Sequence, residues 1–269
     1  MKNLLARLLP GFAFLIALSI VPGATAGDSL QRVIDFKTLT VGTSGDQPPM
    51  TAVSRQGGVM GFDVDLAQGL AKAMRVQLDI QVLPFGELLD ALEDGKIDMI
   101  MSNFSITPER SERAHFIGPY MMSGKSILTR NSVLANAQNS EDFNRADLKI
   151  AAVQNSTSAM FVAEVAPDAT LVAVESSDLA IQMLLDGKVD ALMADMAVCK
   201  LAVLRHRDAG LVTLQEPLTI EPVGIAVSLE DRQFQNLVSN YLNAYEKTGV
   251  LTKLRKKWFE QSDWIGALP

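Results

Sequence analysis

Residues 101–110 crowd Ser102, Asn103, Ser105, Thr107 and Arg110 into ten positions behind an apolar run. Hydroxyls, an amide and backbone N–H groups at the end of a strand form an anion receptor. A guanidinium fork delivered next to them matches a carboxylate in a bidentate way. The same residues also read as a capped helix start, with Pro108 in the first turn and a surface Arg110. A second cluster, Gln154-Asn155-Ser156-Thr157-Ser158, precedes an apolar helical pattern. Ser156 and Thr157 there either gather N–H groups around an anion or simply cap the helix. Ser44 and Gln47 lie in the Gly/Pro-rich loop 42–49, and Glu221 stands just ahead of Pro222. The acids Asp63 and Asp65 could hold a metal. Their place in the first turn of a helix accounts for them more simply through the helix dipole, with Asp63 as N-cap.

The elements that must position these groups announce themselves by repetition. Asp94-Gly95-Lys96-Ile97-Asp98-Met99-Ile100-Met101 recurs 92 positions later as Asp186-Gly187-Lys188-Val189-Asp190-Ala191-Leu192-Met193. Each copy reads as helix, glycine stop and buried strand. Two copies suit two similar α/β lobes that offer strand carboxyl ends to one cleft. Continuing the offset pairs Asn103 with Asp195. Strands are expected over 39–41, 77–83, 97–101, 126–129, 149–153, 171–174 and 211–214. Helices are expected over 62–74, 87–94, 159–165, 178–185, 234–247 and 250–259, with a short one after Arg110 and a turn at Gln56-Gly57-Gly58. The strand over 126–129 would carry the chain out of the first lobe. Trp258 and Trp264 should pack the terminal helices onto that lobe.

The chain has 269 residues, with 31 acids against 24 bases. Lys2 and Arg7, the apolar run 12–21 and Ala24-Thr25-Ala26 predict a cleaved export signal over 1–26. Without it the net charge moves from −7 to −9. An acidic surface without a basic cluster argues against nucleic acid. The lone Cys199 excludes an intrachain disulfide and reads as a buried, inert thiol. His115 reads as a surface or helix-end residue. No Ser-His-Asp set, Cys-His pair or phosphate loop is present.

Gly61-Phe62-Asp63-Val64-Asp65-Leu66-Ala67, Gly95-Lys96-Ile97-Asp98, Ser105-Ile106-Thr107-Pro108-Glu109-Arg110 and Pro119-Tyr120 follow one another in order. Together they resemble family 3 of the bacterial extracellular solute-binding proteins, the periplasmic amino-acid-binding components of ABC importers. The resemblance spans nearly the whole chain after residue 26. It implies a two-lobed periplasmic binding protein fold, each lobe a mixed sheet flanked by helices. Lobe one would hold 27–130 and 225–269, and lobe two 131–224. It implies a small-molecule ligand, an amino acid or related carboxylate. It also implies an ABC permease in the inner membrane as partner, a monomeric state, and no cofactor or metal. Arg110 would hold the ligand carboxylate with help from Ser105, and Thr157 with Ser156 would close over it. Asp195 would take the ammonium, with Asn103 adding an oxygen.

The specificity positions depart from the family pattern. Ser44 and Gln47 stand where many members carry an acid and an aromatic, and Met50 replaces a usual Phe. Phe85 keeps an aromatic place. A small or polar ligand fits those changes. Cyclohexadienyl dehydratases resemble the family closely, and Glu221 and Lys125 fall where those enzymes use an acid and a cation. Ser158 stands in place of their Asn. A Glu and a Lys at these places are also common in plain binding proteins.

Overall fold

The computed structural model describes residues 29–132, 134 and 142–269. The signal expected over 1–26 and much of the polar stretch 131–147 lie outside the described residues.

The first lobe opens with α1 (Ser29–Phe36), β1 (Thr38–Thr43) and a small antiparallel sheet of β2 (Asp46–Gln47), β3 (Thr51–Val53) and β4 (Val59–Met60). Then come α2 (Phe62–Met74), β5 (Gln77–Val82), α3 (Leu88–Glu93), β6 (Met99–Ile100), α4 (Pro108–Ser111) and β7 (His115–Ser123). The second lobe runs through β8 (Lys125–Thr129), β9 (Lys149–Val153), α5 (Thr157–Val165), β10 (Thr170–Val174), α6 (Ser177–Leu185), β11 (Ala191–Asp195), α7 (Met196–Arg205) and β12 (Val212–Thr213). β13 (Glu221–Val227) returns to the first lobe, where α8 (Arg232–Lys247) and α9 (Val250–Arg255) follow.

The two main sheets share one plan. The first is ordered β5-β1-β6-β13-β7 and the second β10-β9-β11-β8-β12. In each, three strands run parallel and the fourth runs against them. That fourth strand comes from a crossing: β13 enters the first sheet and β8 the second. The strand over 126–129 was expected to close the first lobe, and lobe one to extend to residue 130. The pairing puts β8 between β11 and β12, in the second sheet. The first sheet instead takes β7, a strand that the sequence reading did not identify. It also takes all of β13, so the return begins at Glu221 rather than at 225.

The sequence repeat is a structural device in both copies. Gly95 and Gly187 sit in the left-handed region, at φ +68° and +71°. Gly95 N donates to Leu92 O and Lys96 N to Ala91 O; Gly187 N donates to Leu184 O and Lys188 N to Met183 O. These paired bonds are the Schellman closure of a helix, and the left-handed φ suits glycine. Asp98 and Asp190 then each accept a backbone N–H at the start of the neighbouring strand, from Thr40 and Lys149, at 2.8 Å in both cases.

Each sheet buries both faces. Phe62, Leu66 and Leu70 of α2 pack with Val41, Met99, Ile225 and Phe234 on one side of the first sheet. Phe85, Leu88, Ile100 and Phe104 fill the other. Trp258 joins the first of these clusters and Trp264 packs against it, 5.3 Å from the Trp258 ring. Cys199 is buried in the second lobe, and burial pushes its thiol up to about 12, which leaves it inert. His115 opens β7 and is exposed.

Two short segments join the lobes, Ser123-Gly124-Lys125 and Thr219-Ile220-Glu221. Met121–Ser123 pair with Glu221–Val223 as a two-stranded ribbon between them. Lys125 N donates to Thr219 Oγ1 at 2.9 Å, and Leu218 N donates to Lys125 O at 2.7 Å. A Cβ on Gly124 would collide with the Thr219 carbonyl oxygen, so glycine lets the two crossings lie side by side.

Candidate functional site

The carboxyl ends of β6 and β11 face each other between the sheets. Asn103 and Asp195, 92 positions apart, are in contact there: Asn103 Nδ2 donates to Asp195 Oδ2 at 2.7 Å and to Gln47 Oε1 at 3.1 Å. Ser123 Oγ donates to Asp195 Oδ1 at 2.9 Å. Lys125, 2% exposed, lies 3.1 Å from both Asp195 Oδ1 and Glu221 Oε2. Glu221 Oε2 also accepts Ser105 Oγ and Thr157 Oγ1, each at 2.8 Å, while Oε1 accepts Thr219 Oγ1 at 3.1 Å. Glu221 thus ties the first lobe, the second lobe and a crossing to one carboxylate. Burial pushes that carboxyl up, but Lys125 and the hydroxyls of Thr157 and Ser105 outweigh it and hold it below the usual range.

Arg110 sits at the other end of the cleft. Thr107 caps α4 through Arg110 N, as the helix-start reading expects. The side chain is no surface group, being 7% exposed. Its guanidinium lies 4.0 Å over the Phe104 ring and 5.4 Å from that of Phe85. It donates to Ser105 O at 2.9 Å and to Asn155 O at 3.2 Å, one carbonyl from each lobe. Among the described residues no carboxylate lies within ion-pair distance of it. Burial lowers its pKa to about 10, against the pull of Glu221, Asp195 and Glu109. Asn103 and Asn155 both hold positive φ, +50° and +58°, which asparagine tolerates better than most residues. Left-handed backbone at two facing loops of one cleft marks a site under constraint.

Asp63 requires a correction. Gly61, not Asp63, occupies the N-cap position of α2. Asp63 is fully buried and accepts Asn103 N and Tyr120 Oη, both at 2.7 Å. Burial raises its pKa to about 7, against those two bonds. Its role is to brace the backbone of Asn103. Leu66 and Leu70, three and seven positions on, put it on the apolar stripe of α2, and that spacing was the available signal. Asp65 instead accepts Lys257 Nζ and Trp258 Nε1 at 2.6 and 2.8 Å.

Two cavities meet at this site. A polar one of only about 20 Å³ is bordered by Ser105, Lys125, Ser156, Thr157, Asp195 and Phe85. A second, of about 660 Å³, lies beyond Asn103 and Asp195 and is walled mostly by apolar side chains. Outside Arg110, between Phe85, Asn155 and Met160, is an open groove of about 420 Å³.

The structure therefore brings Asn103, Gln47, Asp195, Ser105, Thr157 and Glu221 together and sets Phe85 beside them. Ser156 caps α5, accepting Ala159 N at 3.1 Å and donating to Val153 O at 2.6 Å. Ser44 bonds to Ser102 at the end of β1 and borders neither of the two central cavities. Phe104 and Asn155 lie inside the two polar clusters, 101–110 and 154–158, but were not among the groups expected to touch the ligand. Ser123, at the end of β7, and Thr219, at the second crossing, join the site where no periodicity marks a residue.

The family of bacterial extracellular solute-binding proteins, family 3, matches residues 39–261. A cyclohexadienyl dehydratase of Pseudomonas aeruginosa is 28% identical over 231 residues, 86% of each chain. An arginine-binding protein of an Escherichia coli ABC transporter is 27% identical, covering 92% of this chain and 99% of that one. Among solved structures, an ancestral amino-acid-binding protein described as a precursor of cyclohexadienyl dehydratase superposes with a TM-score of 0.78. It is 32% identical, over 86% of this chain and 99% of its own.

Proposed function

Because the chain belongs to family 3 of the bacterial extracellular solute-binding proteins, we propose that it captures an amino acid between its lobes and presents it to an ABC permease. The observation that supports this most is Arg110: a buried guanidinium between the lobes, bonded to carbonyls and, among the described residues, to no carboxylate. A buried cation gains from a pairing anion, and the planar fork suits a carboxylate. At the other end Asp195 offers its carboxylate to an ammonium, with Asn103 beside it. Ligand entry breaks the bonds between Asn103 and Asp195, and between Thr157 and Glu221. Reclosure on the ligand replaces them, so the ligand draws its differential affinity from the closed form. Removal of residues 1–26 would leave the protein in the periplasm.

A second reading, turnover of a cyclohexadienyl acid, draws on the Lys125–Glu221 pair and on the likeness to a dehydratase. A general acid must hold its proton near neutral pH. Glu221 is instead held below the usual carboxylate range, in contact with Lys125 and three hydroxyls. That favours a structural carboxylate at the crossing, and binding over turnover. The test is mass spectrometry of ligand carried through purification, calorimetry with a panel of amino acids, and a phenylpyruvate and phenylalanine assay beside Glu221→Gln. Binding without product supports the transport role. Multiple turnovers that vanish in the Gln variant would replace it with the enzyme.

A further inference from the structure

The polar cavity beside Lys125 and Glu221 has about 20 Å³, room for about one water and not for an amino acid. The apolar cavity has about 660 Å³, within the range of small-molecule sites. Gln47, Asn103, Asp195 and Val198 border both. The hydrogen-bonded chain from Gln47 through Asn103 to Asp195 is thus a partition between them. When an ammonium displaces Asn103 from Asp195, the two spaces join at the point where an α-carbon and its side chain would stand.

The walls beyond the partition say what that side chain should be. Met50, Met121 and Met196 line it with Trp258, Phe259 and Trp264. Thioethers adapt to varied apolar shapes and pack well on aromatic rings, and the indoles offer flat faces. Lys200 and Glu260, the charged residues that border it apart from Asp195, are both exposed. Met122, Leu204, Ile220 and Phe259 also line it while remaining 42–79% exposed, an unusual concentration of open apolar surface. Such patches mark binding grooves. Charged or short side chains would leave these walls wet or empty.

Resting on the amino-acid reading above, we propose that the ligand is an amino acid with a large apolar side chain, which enters the 660 Å³ cavity while its charged backbone sits between Arg110 and Asp195. This departs from the small or polar ligand that Ser44 and Gln47 suggest.

The test is calorimetry with phenylalanine, leucine and methionine against glycine, serine, arginine and glutamate. Trp258 and Trp264 are the chain's two tryptophans and both border the cavity, so wild-type emission reports its filling. Ala197, half-buried on α7, borders it too, and Ala197→Phe fills part of it. We expect the apolar set to bind about tenfold or more tighter than the others, to shift the tryptophan emission, and to lose about tenfold in Ala197→Phe. Tightest binding of arginine, glutamate, glycine or serine would overturn this inference and leave the amino-acid reading standing. So would apolar ligands that leave the emission unchanged in wild type, whatever the fate of the variant. Failure of the whole panel to bind would overturn both.

Discussion

Arg110 is the residue whose chemistry is hardest to replace. Its two bonds go to carbonyls of opposite lobes and its plane lies on Phe104. Arg110→Ala should cost about 2–5 kcal/mol of ligand affinity. Arg110→Lys should lose most of it too, because an ammonium has neither the fork nor the flat face. Calorimetry with the amino acid that wild type binds decides this, and an Ala variant within about threefold of wild type would remove the carboxylate assignment. Asp63 makes a prediction of the opposite kind. Its folded pKa of about 7 lies above the ordinary carboxylate value of 3.8. Between those values the folded chain holds a proton that the unfolded chain has lost. Its contribution to stability is therefore complete below about pH 4 and falls as pH rises to about 7, by a few kcal/mol. Asp63→Asn should flatten that decline in urea denaturation at pH 4.5, 6 and 7.5. Equal slopes in the two proteins would show that Asp63 is ionised throughout.

At the scale of elements, the crossing at Gly124 is the tightest fit. β7 ends and β8 begins on either side of it, and the second crossing presses the Thr219 carbonyl against its α-carbon. Gly124→Ala must push the two segments apart or twist the ribbon of β7 and β13. Overpacking of this kind costs about 1–3 kcal/mol. The loss should appear as a lower melting temperature together with weaker ligand binding, since the crossings also set the angle between the lobes. Gly187→Ala is the control. It meets no atom within 4 Å but sits at φ +71°, so it should lower stability by about 1 kcal/mol and leave affinity alone. An Ala at 124 that melts and binds like wild type would mean that the crossings adjust freely.

At the scale of the molecule, the lobes touch at separate points: Asn103 with Asp195, Arg110 with Asn155, and Asp46 Oδ2 with Ser177 N at 2.6 Å. Asp195, Asn155 and Ser177 belong to three different segments of the second lobe, so an opening that breaks all three contacts would move that lobe as a body about its two crossings. Ligand that bridges the lobes should raise the melting temperature, by the equivalent of about 2.7 kcal/mol at a hundredfold excess over Kd. It should also hold the chain compact in small-angle scattering. A radius of gyration that is the same with and without saturating ligand, beside a raised melting temperature, would mean that the lobes are already closed before ligand arrives.

Much of this was legible in the residues alone. The repeat at 94–101 and 186–193 marked two equivalent helix stops and strands, because Schellman closure and strand burial depend on neighbours a few positions away. Its continuation to Asn103 and Asp195 even named two groups that touch. What the sequence could not determine was membership and partnership across long separations. β8 reads as an apolar strand wherever it pairs, and only the packed sheet put it beside β11. Asp63 reads as a helix-start acid until Asn103 and Tyr120, 40 and 57 positions on, close over it. Glu221 reads as a carboxylate near a crossing; its four partners come from both lobes and both crossings. Local spacing fixes what each segment becomes, but burial and charge pairing depend on which segments meet, and that is settled only when both lobes have folded and touched.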